Sequence, residues 1–168
     1  STEHEQTDLN EASHPYGVRS MADTLRILRD NPPQAASQLE ERIQNGRADY
    51  RTWHNLAVAR AKLADLPAAL SACEEALRLQ PQSVMSHFLH AKILQELDRY
   101  SHALRSYQQV ALLAPDFEML PANRGLTYFF LGKLELAVVD LQKAVSQDPQ
   151  DTRTLFNLAI VQLASNAF

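Results

Sequence analysis

The chain has 168 residues, 45% of them hydrophobic and 21% charged, with a formal net charge of −4. That length accommodates one domain or a short repeat array, and a mildly acidic balance without a basic block excludes the electrostatic footprint of a nucleic-acid or anionic-lipid binder. The longest apolar runs are far too short to span a bilayer, the single cysteine, Cys73, excludes an internal disulfide, and four scattered glycines build no phosphate-cradling loop.

Residues 1–18 are polar, lack helical periodicity and read as a disordered tail, with no signal peptide visible. Residues 19–49 read as a helix pair. Its first helix covers 20–31, opened by Ser20 and Asp23 at capping-box spacing, and Pro32-Pro33 breaks it. The second covers 34–45, with Ala35, Leu39 and Ile43 on one face and Gly46 as its stop. This pair is either a degenerate repeat or an N-terminal cap.

From residue 50 onward the chain repeats every 34 residues. Pro81, Pro115 and Pro149 keep that step, as do Ala57, Ala91, Gly125 and Ala159, then Ala69, Ala103 and Ala137, then Leu63, Leu97 and Leu131. Each unit reads as two helices. In the first unit Trp53, Leu56, Ala57, Arg60 and Leu63 share one face, and Ala69, Leu70, Cys73, Ala76 and Leu77 the other. Small residues let the paired helices approach closely. Ala64-Asp65, Asp98-Arg99 and Gly132-Lys133 supply the turns, and each second helix must stop before its proline. The units cover 50–83, 84–117 and 118–151, and 152–168 begins a fourth. Pro121 falls in the first turn of its helix, which should therefore start late.

Trp53…Leu56-Ala57…Ala69…Ala76…Pro81, Ala91…Leu94…Ala103…Tyr107…Pro115 and Gly125…Tyr128…Ala137…Leu141…Ala144…Pro149 together resemble the tetratricopeptide repeat family over residues 50–165. The resemblance implies an all-α solenoid of antiparallel helix pairs wound into a right-handed superhelix. It also implies that the first helix of each pair lines a concave face where another polypeptide binds.

No nucleophile, base and orienting group assemble along the sequence, so no enzyme is expected. His87 and His90 share a helix face without a third ligand, and Cys73 falls at a core position, so neither a metal nor a cofactor is expected. The resemblance instead points to ligand-facing positions on the first helices. These are Arg51 and Asn55; Met85, Phe88 and Lys92; Asn123, Leu126, Phe129 and Phe130 with Met119; and Arg153, Phe156, Asn157 and Ile160 with Leu163. Four of the six phenylalanines fall there, and contiguous apolar surface of that kind calls for a partner. Asn55, Asn123 and Asn157 suggest a carboxamide ladder along a peptide backbone. The lysine and asparagine of the carboxylate clamp found in some family members are replaced by Phe88 and Lys92.

The expected function is a protein–protein interaction module, an adaptor, scaffold or assembly factor, that holds a peptide segment or helix in an apolar groove. One alternative is a non-catalytic regulatory or targeting domain of a larger enzyme. Another is a scaffold that self-associates through the helix beginning at Thr152, apolar nearly all round, pairing with its copy as a homodimer. A reduced lone cysteine and the lack of a membrane span place the chain in the cytoplasm, and the periplasm is also compatible.

Overall fold

The structure is a computed structural model that describes residues 21–167. Among these residues it is all-α, with nine helices. The chain divides into two compact units after Leu79.

The first unit holds α1 (Met21–Asp30), α2 (Pro32–Gln44), α3 (Tyr50–Lys62) and α4 (Leu66–Leu79). Asn31 alone separates α1 from α2. Its side-chain carbonyl accepts from the Gln34 N–H at 3.3 Å, and Pro32 and Pro33 occupy the first helical positions. The first helix ends before Pro32-Pro33 as expected, but the second begins at Pro32 rather than at 34: proline lacks only an N–H that the first turn leaves unpaired anyway, so the two prolines open α2. The tail at 1–18 and the Ser20 half of the expected capping box lie outside the described residues. Leu39, Leu56, Ala57, Ala69, Cys73 and Ala76 are fully buried. Leu63, expected on the packing face, is the C-cap residue of α3 and is 44% exposed.

The second unit holds α5 (Val84–Glu96), α6 (Tyr100–Leu113), α7 (Leu120–Phe130), α8 (Leu134–Gln147) and α9 (Thr152–Asn166). The pairs α5–α6 and α7–α8 pack side by side, and α9 packs on α8 and α7. The second helices α4, α6 and α8 each stop two residues before Pro81, Pro115 and Pro149.

The period also sets the helix starts. Asp49, Ser83 and Asp151 cap α3, α5 and α9, accepting from backbone N–H groups in the first turn at 3.0, 3.2 and 3.1 Å. The buried hydroxyls of Thr52, Ser86 and Thr154 bond back to the same caps at 3.2, 2.9 and 2.6 Å. In the third unit Phe117 stands where the cap should be, and Leu120 where the hydroxyl should be. Neither side chain offers an oxygen, and the Leu120 N–H is held by the Phe117 carbonyl at 3.1 Å instead. The chain turns once more, α7 begins at Leu120 with Pro121 in its first turn, and the Phe117 ring packs 5.1 Å from Phe88. The late start results from the proline and the absent cap together.

Four helices end alike, α2, α3, α5 and α7. After each C-cap comes a residue with positive φ: Gly46 (69°), Ala64 (61°), Asp98 (59°) and Gly132 (73°). The next N–H in each case reaches back to the carbonyl of Arg42, Arg60, Leu94 or Tyr128 at 2.8–2.9 Å, closing the last turn.

Candidate functional site

The residues expected to face a ligand fall in both units. In the first, Arg51 is exposed on α3, with its guanidinium 5.1 Å from the Tyr50 ring centroid and 3.9 Å from the Asp49 carboxylate. Asn55 is 9% exposed and lies within the packing of its unit. Beside it on α3, the half-buried His54 has its pKa lowered by burial.

In the second unit Met85 is 48% exposed on α5. Phe88 is 5% exposed, held between Tyr107 at 6.0 Å and Phe117 at 5.1 Å. Only the exposed Lys92, whose ammonium lies 5.8 Å from that ring, offers anything to solvent there. An anchoring role for Phe88 is therefore replaced by a core role, because the uncapped chain at Phe117 folds onto it.

Along α7 the Asn123 amide donates to the Met119 carbonyl at 2.7 Å, tying down the irregular start of the helix. That bond takes one of the two N–H groups a carboxamide ladder would use. Leu126 and Phe129 are half-buried, and Phe129 packs against the cluster of Ala137, Leu141 and Val161. Phe130 is 49% exposed and stacks on Tyr100 at 4.7 Å and 14°. Tyr100 was missed in the sequence because it opens a second helix, in register with the unremarkable Leu66 and Leu134. Its hydroxyl donates to Asp98 at 2.8 Å.

On α9 Arg153 is exposed, Asn157 half-buried, Phe156 64% exposed and Ile160 39% exposed, with Leu163 at 71%. Val161 is 1% exposed and packs with Ala137 and Leu141 of α8. Val161 therefore belongs to the core of its unit and is not available to a second copy. Leu158 and Val161 are three residues apart, so they share the side of α9 that faces its neighbours.

A polar bridge crosses the interior beneath these side chains. The Tyr107 hydroxyl donates to Gln95 Oε1 at 2.8 Å, and burial pushes its pKa up. Thr127 Oγ1 lies 3.1 Å from both Gln95 Oε1 and the Asn123 carbonyl and donates to one at a time. The bridge thus links α5, α6 and α7, fixing the helices that carry Met85, Phe129 and Phe130.

Among the described residues no three His, Cys, Asp or Glu side chains group as a metal site. His87 Nε2 donates to the Pro81 carbonyl at 2.8 Å, while His90 Nδ1 is hydrogen-bonded to Ser106 Oγ at 2.7 Å, so the two imidazoles serve different partners. The Cys73 thiol is buried and its pKa is pushed up to about 12, chiefly by burial, which suppresses the reactive thiolate. A cleft of about 480 Å³ opens beside Gly132, Leu136 and Ser165, and it shares no residue with the expected site. No helix among the described residues is long and apolar enough to cross a membrane.

Helix pairs in a fixed 34-residue register, with apolar side chains turned outward on their first helices, define a helical-repeat protein. Residues 50–83 and 122–151 match the tetratricopeptide repeat model, so those segments are tetratricopeptide repeats. Superkiller complex protein 3 of Homo sapiens is 30% identical over 107 residues, which is 64% of this chain but 7% of that protein. Among solved structures, MamA 41-end from Desulfovibrio magneticus RS-1 superposes with a TM-score of 0.79 at 25% identity, covering 86% of this chain and 82% of that one. The first TPR of Spaghetti (RPAP3), bound to the HSP90 peptide SRMEEVD, superposes with a TM-score of 0.67 at 16% identity, covering 70% and 94%. Repeats of this kind are generally non-catalytic scaffolds for protein–protein interaction.

Proposed function

We propose that the second unit holds a segment of another polypeptide against its first helices, with Met85, Leu126, Phe129, Phe130, Phe156 and Ile160 as the apolar contacts and Lys92, Arg153 and Asn157 at their margin. The observation that carries this reading is the outward exposure of large apolar side chains on successive first helices: Met85 at 48%, Phe130 at 49% and Phe156 at 64%. Scattered apolar residues are ordinary on a protein surface, but several large ones exposed on successive first helices of one unit mark a candidate contact surface. A few aromatic anchors of this kind supply most of the roughly 8 kcal/mol needed for micromolar affinity. In the first unit the buried Asn55 supports the fold.

The Spaghetti structure holds a peptide ending in aspartate, but Phe88 and Lys92 differ from the clamp residues such a tail needs, so an apolar segment is the better fit here. The test is to select binding peptides from a random library on the immobilised chain and measure them by titration calorimetry. Selected sequences should be rich in apolar residues and should lose about tenfold or more in affinity when Phe156 is changed to alanine. Recovery of only acidic-tailed peptides, indifferent to Phe156, would overturn the reading.

A further inference from the structure

Arginines of this molecule settle between an aromatic ring and a carboxylate. Arg51 lies 5.1 Å from the Tyr50 ring centroid and 3.9 Å from Asp49. Arg124 lies 5.8 Å from the Tyr128 centroid and pairs with Asp140 at 2.7 Å. Another ring and carboxylate stand together without an arginine. The Tyr100 hydroxyl donates to Asp98 Oδ1 at 2.8 Å, and the Tyr100 ring stacks on Phe130 at 4.7 Å and 14°. No lysine or arginine among the described residues, the adjoining Arg99 included, is paired with Asp98.

Both polar members depart from the repeat. Ala64 and Gly132 stand where Asp98 does, and Leu66 and Leu134 where Tyr100 does. Asp98 takes φ 59°, a conformation that an L residue adopts at a cost. Neither departure fills the core, since Asp98 is exposed and Tyr100 only half-buried. Phe130 is 49% exposed with α6, α8 and α9 all packed on its helix, so none of these neighbours covers it.

We infer that Tyr100, Phe130 and Asp98 form a subsite for one arginine of the polypeptide segment held by the second unit. This rests on the functional reading above and adds a single charge to an otherwise apolar ligand. The aliphatic stem of that arginine covers the Phe130 ring. Its guanidinium donates to the Asp98 carboxylate and to the Tyr100 hydroxyl oxygen, as the Arg124 fork grips Asp140 beside Tyr128. Lysine fits less well, because a compact, strongly hydrated ammonium has no planar fork to span the two oxygens. Glu96, exposed at the end of α5, adds a second negative charge on the same side of the turn and favours a cation there. A proline could stack on the rings but would leave the carboxylate unused.

The test uses the full chain and peptides selected on it from a random library, measured by titration calorimetry. Selected peptides should carry arginine at one fixed position. Replacing it with citrulline, which keeps the shape and loses the charge, should weaken binding about tenfold. Asp98→Gly and Tyr100→Leu restore residues that the repeat uses at those positions, so both variants should keep native helicity. On Asp98→Gly the arginine and citrulline peptides should bind within about twofold of each other, and Tyr100→Leu should shrink the citrulline penalty in the same direction. Phe156→Ala should weaken both peptides alike and leave their ratio unchanged. Selected peptides with no fixed arginine, or with proline in its place, would overturn the inference and leave the apolar-segment reading standing. So would a citrulline penalty that survives Asp98→Gly. Recovery of no binding peptide would overturn both readings together.

Discussion

Arg124 on α7 grips Asp140 on α8 at two points, Nε to Oδ2 at 2.7 Å and Nη2 to Oδ1 at 2.9 Å, while its guanidinium lies 5.8 Å from the Tyr128 ring. The carboxylate side chain is 6% exposed and the arginine 23%. This fork sits one residue from Gly125, where an added Cβ would lie 3.0 Å from Leu141 Cγ and 3.1 Å from Asp140 Cβ. It locks that helix pair in register, and it replaces a contact that the first pair makes with apolar groups alone.

Breaking the fork on one side strands a charge. Asp140→Ala should therefore destabilise the chain by about 2–3 kcal/mol in urea unfolding, less than a fully buried pair because Arg124 retains some solvent. A double change to the apolar pair of the first unit, Arg124→Leu with Asp140→Ala, should recover most of that loss. A double variant no more stable than Asp140→Ala would show that packing around the pair, rather than the charge, dominates.

Two of the four left-handed helix ends use residues that dislike that geometry, Ala64 and Asp98. Ala64→Gly should raise stability by about 0.5–1 kcal/mol, because glycine relieves the Cβ clash at some cost in chain entropy. Gly132→Ala should lower it by a similar amount, since the same geometry is imposed there (φ 73°). Thermal melts of the two variants should move in opposite directions.

Burial lowers the pKa of His54 from 6.5, so the folded state binds fewer protons than the unfolded chain. The stability this neutral imidazole permits is fully present above pH 6.5 and is lost as pH falls from there through the folded value. Urea midpoints of the native chain and His54→Gln should thus converge or cross between pH 7.5 and pH 5. A constant gap across that range would show that His54 does not titrate with folding.

The Cys73 thiol, buried and held up to about pKa 12, should resist alkylation at pH 8 in the native chain. Its reaction should accelerate steeply at the urea concentration where the helical signal is lost. Fast labelling without unfolding would place the thiol at the surface.

The phenylalanines separate into two energetic groups. Phe88→Ala should cost about 3–5 kcal/mol of stability, as for an aromatic ring removed from a packed core. Phe156→Ala, at 64% exposure, should change stability by less than about 0.5 kcal/mol while weakening peptide binding by about 1–3 kcal/mol. The reverse distribution would invert the assignment of faces.

The sequence by itself determined the helix pairs, their turns and their ends. Each of these depends on residues within a few positions of one another: a hydroxyl or carboxylate three residues ahead of an N–H, a proline with no N–H, a glycine at positive φ. Repetition every 34 residues made those local signals legible three times over. Depth of burial was decided elsewhere. Phe88 is core because Tyr107 and Phe117, far along the chain, close over it, and Val161 is core because α8 supplies Ala137 and Leu141. Likewise Tyr100 stands beside Phe130 only once α6 and α7 are packed. A period states which side of a helix a residue takes, but only the neighbouring helices decide how much water remains there.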